Sequence, residues 1–161
     1  MTTDTHTSWI KLLLSAAIAA GTTVWGWFGW LVIIWVCCMT LDFLTGTIAA
    51  VKEHDWSSSV FREGLLGKAG MIVAAIVAML FDVLVGLVLK GTGIKLPWTY
   101  TVLVSPLVLC WYCFGELGSS LENAHKLGAP LPAWLKKVLR IAKQSVDTAG
   151  SEIAGESKKN K

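Results

Sequence analysis

The sequence predicts an all-helical integral membrane protein: a bundle of about four transmembrane helices followed by a basic amphipathic helix. Three observations carry this. Of 161 residues, 54% are hydrophobic and only 16% are charged, whereas a soluble domain carries about 25% charged residues. The mean hydropathy is +0.60. The apolar residues also fall into four stretches near the length that crosses a bilayer. A helix rises about 1.5 Å per residue, so a hydrocarbon core of about 30 Å takes about 20 residues. A chain of this length forms one unit, with no room for a second, catalytic domain.

The first stretch covers residues 8–25 and is the weakest, because Lys11 sits near its start. Lys11, then LLLSAAIAA, then Gly21 also resembles a secretory signal with a small-residue cleavage site. Asp4 and the single basic residue of the leader argue for a retained helix. If the segment is cleaved or peripheral, three spans remain and their orientation is unchanged. The turn WGWFGW, Trp25 to Trp30, follows. Gly26 and Gly29 permit a tight reversal, and Trp25, Trp27 and Trp30 suit the lipid–water interface.

The second stretch covers residues 28–51. The segment KEHDWSSSVFREGLLGK, Lys52 to Lys68, joins it to the third stretch, residues 68–89. Ser57 to Ser59 can cap a short amphipathic helix there, carrying Val60, Phe61, Leu65 and Leu66. After the loop KGTGIKLP comes the fourth stretch, residues 98–118, with Pro106 inside it as a kink.

Gly128, Pro130 and Pro132 close the membrane bundle, placed at residues 1–128. Residues 129–146 then read as an amphipathic cytoplasmic helix. Trp134, Leu135, Val138, Leu139, Ile141 and Ala142 are its apolar members; Lys136, Lys137, Arg140 and Lys143 take the other side. Two readings stay open: a membrane-surface helix on an anionic leaflet, or a packing helix with a solvated face. Residues 147–161 are expected to form a disordered polar tail.

The net charge of +3, from 14 Lys and Arg against 11 Asp and Glu, reads as membrane orientation rather than nucleic-acid binding. Lys52, Arg62 and Lys68 lie in one loop, and Lys126, Lys136, Lys137, Arg140 and Lys143 lie in the C-terminal region. The first turn has no Lys or Arg; Lys90 and Lys95 are the counter-evidence. Both termini are therefore expected in the cytoplasm, in a multi-pass protein of a bacterial cytoplasmic membrane. Cys37, Cys38, Cys110 and Cys113 all sit in apolar runs, where lipid opposes the thiolates that a metal or redox site needs. No cofactor, metal or catalytic residue is expected.

Each of the three best helices holds one acid: Asp42, Asp82 and Glu116. An ionised Asp at a helix centre costs about 2.5–3.5 kcal/mol on insertion scales, so these groups must be neutral, paired, near an interface or turned inward. Asp42 and Glu116 fall near one depth, and Asp82 falls in the other leaflet. Asp42 shares a face with Thr45, Gly46, Ala49 and Ala50. Asp82 shares one with Ala74, Ala75, Ala78 and Gly86, and Glu116 with Ser105, Tyr112, Ser119 and Ser120. Such small and polar faces are helix–helix contacts, within one chain or between chains. Asp42, Thr45, Gly46, Asp82, Glu116, Ser119 and Ser120 are thus the candidate pore or oligomer-interface residues.

LDFLTGTIAAVKEHDWSSSVFREGLLGK, residues 41–68, resembles the Asp-x-x-Thr-Gly and Ser/Gly/Lys segment of the toxin-secretion/phage-lysis holin family. ELGSSLENAHKLGAPLPAWLKKVL, residues 116–139, resembles that family's closing segment. The likeness covers about residues 28–140. It carries over to Asp42, Thr45, Gly46, Ser58, Arg62, Gly64, Lys68, Glu116, Glu122 and Asn123. It implies a non-enzymatic holin that oligomerises with copies of itself among membrane lipids and opens lesions at a timed moment. An endolysin or toxin then crosses, without any required direct contact. A dual-start timer is not expected, since the next Met is Met39, inside a helix. The alternatives are a small ion- or proton-coupled transporter and an antiholin or other regulatory membrane protein.

Overall fold

Helix formation in this chain runs further than the apolar stretches alone mark. The computed structural model describes residues 3–94 and 102–155. It holds four helices: α1 (Thr3–Lys52), α2 (Ser58–Thr92), α3 (Val104–Lys126) and α4 (Ala133–Ile153). Lys95, the first residues of the predicted fourth stretch (98–101) and tail residues 156–161 lie outside the described residues.

The first two stretches form α1, whose helical backbone is interrupted at Gly26 (φ 56°, ψ −138°). In place of the expected six-residue turn there is a kink at one glycine, in a conformation that a Cβ disfavours. Nothing lies within 4 Å of a Cβ added there. The cost of Gly26→Ala is therefore pure backbone strain, about 1–3 kcal/mol. A lower unfolding midpoint in detergent micelles is expected; an unchanged midpoint would count against the strain.

Ser57 caps α2, its extended backbone placing the hydroxyl to accept from the Val60 N–H at 3.3 Å. Nothing stops the helix after the amphipathic turns that carry Phe61 and Leu65, so they are the opening of α2 and not a separate helix. Gly93, at φ 69°, ends it. Pro106 falls in the first turn of α3, where a missing N–H breaks no helical hydrogen bond; it does not kink a helix interior as the sequence suggested. Helix α4 runs to Ile153, seven residues past the boundary expected at 146.

Matched contacts give the helix directions. Trp35 stacks on Tyr112 with ring centres 6.2 Å apart, the Cys38 and Cys113 thiols meet, and Asp42 meets Asn123. The pairs rise together, so α1 after Gly26 runs parallel to α3. Lys68 meets Glu116 and Asp82 meets Ser105, so α2 runs antiparallel to α3. Helix α4 doubles back along α3, with Lys143 over Trp111. Helix α3 touches all three others, while α1 and α2 barely touch each other.

The core is thin. Trp35, Cys38, Met39, Ala75, Leu109 and Cys113 form it. The buried positions 105, 109, 113, 116 and 120 recur every three or four residues on α3. Large apolar side chains such as Ile48, Ile76, Leu80 and Leu84 point outward. Two helical segments are long and apolar enough to cross a membrane, Gly26–Lys52 and Ser58–Thr92, and only 17% of the most apolar window of each is buried. The core helix of a soluble protein would bury most of such a window. Small and polar residues inside with bulky apolar ones outside is the arrangement expected in lipid, where every backbone polar group must be satisfied within the protein.

Candidate functional site: a polar seam through the bundle

The three acids all face inward. Asp82 is 1% exposed and Glu116 6%, and the Asp42 side chain is mostly covered. They form two separate polar centres.

The first joins three helices through one cation. Lys68, on α2, donates from Nζ to Asp42 Oδ2 of α1 at 2.9 Å and to Glu116 Oε2 of α3. Its side chain keeps only 14% of its exposure. Asn123 of α3 donates from Nδ2 to Asp42 Oδ1 at 3.1 Å and to Thr45 Oγ1 at 3.3 Å. The Thr45 hydroxyl in turn donates to Leu41 O at 2.8 Å. Gly46 makes room for this: a Cβ there would stand 3.3 Å from Asn123 Nδ2. With both acids ionised, two carboxylates share one ammonium, so the centre carries a formal charge of −1 and depends on Lys68 for cohesion.

A cleft of about 330 Å³ opens beside this centre, between α1, α2 and α3. Gly64, Ser119 and Glu122 join Asp42, Gly46 and Asn123 in its walls, and Phe43 meets Phe61 edge-on across it at 5.2 Å. Ser58 and Arg62 are exposed on the first turns of α2.

The second centre is Asp82. Its carboxylate accepts from the N–H groups of Leu103 (3.2 Å), Val104 (3.0 Å) and Ser105 (2.7 Å), and from the Ser105 hydroxyl (2.6 Å). The N-cap residue of α3, Leu103, has no side chain able to do this. A neighbouring helix therefore supplies the cap, with the negative charge that a helix N-terminus favours. The other end of α3 is treated in the mirrored way. Lys52 of α1 donates from Nζ to the carbonyls of Lys126 (3.1 Å) and Leu127 (2.9 Å), a cation on a helix C-terminus. Ala78 and Ala75, one and two turns before Asp82, are buried on the same face.

Of the expected residues, Asp42, Thr45, Gly46, Lys68, Glu116, Glu122 and Asn123 gather around one centre or its cleft. Asp82 stands apart. Ser120 is buried, and its Oγ finds no hydrogen-bond partner among the described residues. Lys136, Lys137, Arg140 and Lys143 lie along α4 and touch neither centre, on a separate groove that shares Ser119 and Glu122 with the cleft. In the sequence Lys68 and Lys52 read as loop charges, and nothing there pairs either with a partner. The signal for Lys68 was present: one cation at the depth estimated for two unexplained acids. Among the described residues no group of His, Cys, Asp or Glu is arranged to hold a metal ion.

Comparison with known proteins agrees with this picture. A family model described as the bacteriophage holin family matches residues 19–144. An uncharacterised 14.9 kDa protein in the nagH 3′ region of Clostridium perfringens is 32% identical over 100 residues, 62% of this chain and 67% of that protein. A second uncharacterised C. perfringens protein is 30% identical over 100 residues, 62% of this chain and 65% of that protein, so the match spans about two thirds of each of these two relatives. An uncharacterised protein of Halalkalibacterium halodurans is 28% identical over 135 residues, covering 84% of this chain and 92% of its own. No solved structure matches the chain significantly. The family model covers both motif segments and every residue of the Lys68 and Asp82 centres, and the chain belongs to the bacteriophage holin family.

Proposed function

We propose that this protein acts as a phage-type holin. It accumulates in the bacterial cytoplasmic membrane, associates with its own copies, and at a set density opens a lesion through which a wall-degrading endolysin or a toxin passes. In this reading α3 is a further span: its 23 residues extend about 34 Å, enough to cross. Lys52, Arg62 and Lys126 lie toward one end of the bundle, which favours that end facing the cytoplasm.

The observation that carries the proposal is the Lys68 ammonium shared by Asp42 and Glu116. It ties three helices by charge through side chains that are largely covered. While the tie holds, most of the polar groups on the inward faces are satisfied inside one chain and the bundle presents mainly apolar residues to lipid. When neighbouring copies compete for these contacts, the same faces become the wall of a water-filled opening. The transporter alternative lacks comparable support, because Lys68 already fills the place between the two acids that a transported cation would take.

Induced expression in a bacterium with and without a cytoplasmic endolysin tests the proposal. Abrupt clearing that requires the endolysin is expected. Gradual ion leakage with no endolysin dependence would sink it. Delayed clearing when a second holin is co-expressed would instead mark an antiholin.

A further inference from the structure

Helix α4 lies against α3 in an unusual way. Only half of its apolar side meets α3, through Leu139 and its neighbours. Trp134, Val138 and Ile141 remain 63%, 51% and 51% exposed. On the opposite flank, its basic residues overhang a groove of about 620 Å³ between the two helices. The groove's α3 side is unusually open, because Gly115 and Gly118 remove two side chains from it. Lys143 reaches across that space: its Nζ sits 3.9 Å above the Trp111 ring centre and 3.4 Å from where a Gly115 Cβ would be.

Four cations, Lys136, Lys137, Arg140 and Lys143, face this groove against one carboxylate, Glu122. Among the described residues none of the four is paired with an acid. Like charges are gathered here with no protein anion to balance them. Phe114 and Leu139 give the same groove apolar walls.

We propose that this groove binds the headgroup of an anionic glycerophospholipid. The phosphate diester lies among Arg140, Lys136 and Lys143 over the two glycines, with the glycerol and the start of the acyl chains against Phe114 and Leu139. A basic recess between two helices suits this chemistry, and the guanidinium of Arg140 offers the two-pronged contact that a phosphate accepts. The bare flank of Trp134, Val138 and Ile141 then dips into the same leaflet. The site is a recess built by two helices, unlike a basic face resting on a charged surface. The inference rests on the chain's residence in a membrane and not on its opening of lesions.

The test uses the full-length protein in mixed micelles and native mass spectrometry, with dioleoyl phosphatidylglycerol and dioleoyl phosphatidylcholine as probes. One retained phosphatidylglycerol is expected, preferred about tenfold or more over phosphatidylcholine. Lys136→Gln/Arg140→Gln/Lys143→Gln should abolish the preference. Lys158→Gln/Lys159→Gln/Lys161→Gln removes the same charge from the C-terminal tail and should leave it intact. Gly118→Leu keeps every charge, has free space for its Cβ, and should also abolish the preference by filling the groove. Equal retention of both lipids would overturn the site. So would equal losses from the groove and tail triples, or an unaffected Gly118→Leu, since either would reduce the effect to general charge. Displacement of the lipid by millimolar inorganic phosphate would show a free-phosphate site and overturn the lipid assignment. None of these readings depends on lysis, so the lesion proposal and this one fail separately.

Discussion

Lys68→Met is expected to destabilise the bundle by about 3–5 kcal/mol, the usual effect of removing one partner from a buried ion pair. The substitution leaves Asp42 and Glu116 facing one cleft with no cation between them. Asn123 still donates to Asp42, but among the described residues no other ammonium or guanidinium reaches either acid. Unfolding of the purified protein in micelles, followed by circular dichroism, measures the loss. Lys68→Arg keeps the charge and should recover part of it. The variant Lys68→Met/Asp42→Asn/Glu116→Gln removes all three charges at once and should recover most of it, because replacing a whole buried ion network costs far less than breaking one. In cells, the proposal requires Lys68→Met to trigger clearing at a lower membrane density than the natural sequence, with density read by quantitative immunoblot. The neutral triple variant should return the threshold toward the original. If Lys68→Met clears at the unaltered density, the tie has no part in the timing.

Much of the architecture was legible in the sequence because lipid imposes one rule on every residue. The four apolar stretches all fall largely in helices, two of them merged in α1, and the three acids within them marked the inward faces. What stayed hidden has two physical sources. Helix ends are set by capping and backbone conformation, so hydropathy alone placed them poorly. Ser57 starts α2 ten residues before its apolar stretch begins, and this moved Lys68 from a loop into a helix, about three turns from its N-terminus. The same effect moved Pro106 from mid-helix to a first turn. The other source is sequence distance. Asp82 is bound mainly by backbone N–H groups 21 to 23 residues away, and such groups are present in almost every residue. Side-chain patterns cannot single them out. Periodicity placed the acids on inward faces, but it could not say that Asp42 and Glu116 share a lysine while Asp82 caps a helix.

That difference gives Asp82 its own expected phenotype. Asp82→Leu should cost about 3–5 kcal/mol, because it strips the acceptors from three backbone N–H groups and a hydroxyl at a nearly fully buried position, each unsatisfied group costing about 1–3 kcal/mol with partial relief as the first turn of α3 frays. Asp82→Asn keeps one carbonyl acceptor and the side-chain shape, so its loss should be about 1–3 kcal/mol, from the charge removed at the helix N-terminus and the second acceptor. The Lys68 and Asp82 centres sit at different levels of the bundle and share no partner among the described residues, so Asp82→Leu and Lys68→Met should combine additively to within about 0.5 kcal/mol. Asp42→Leu and Lys68→Met touch one network and should not. Additivity in the first pair with strong coupling in the second would separate the two roles: Asp82 holds α3 in place, and Lys68 holds the three helices to one another. Amide exchange at Leu103, Val104 and Ser105 gives the local readout. Asp82→Leu should accelerate it while leaving the Lys68 region protected, and uniform acceleration across α3 would instead mean that the cap and the tie are a single cooperative unit.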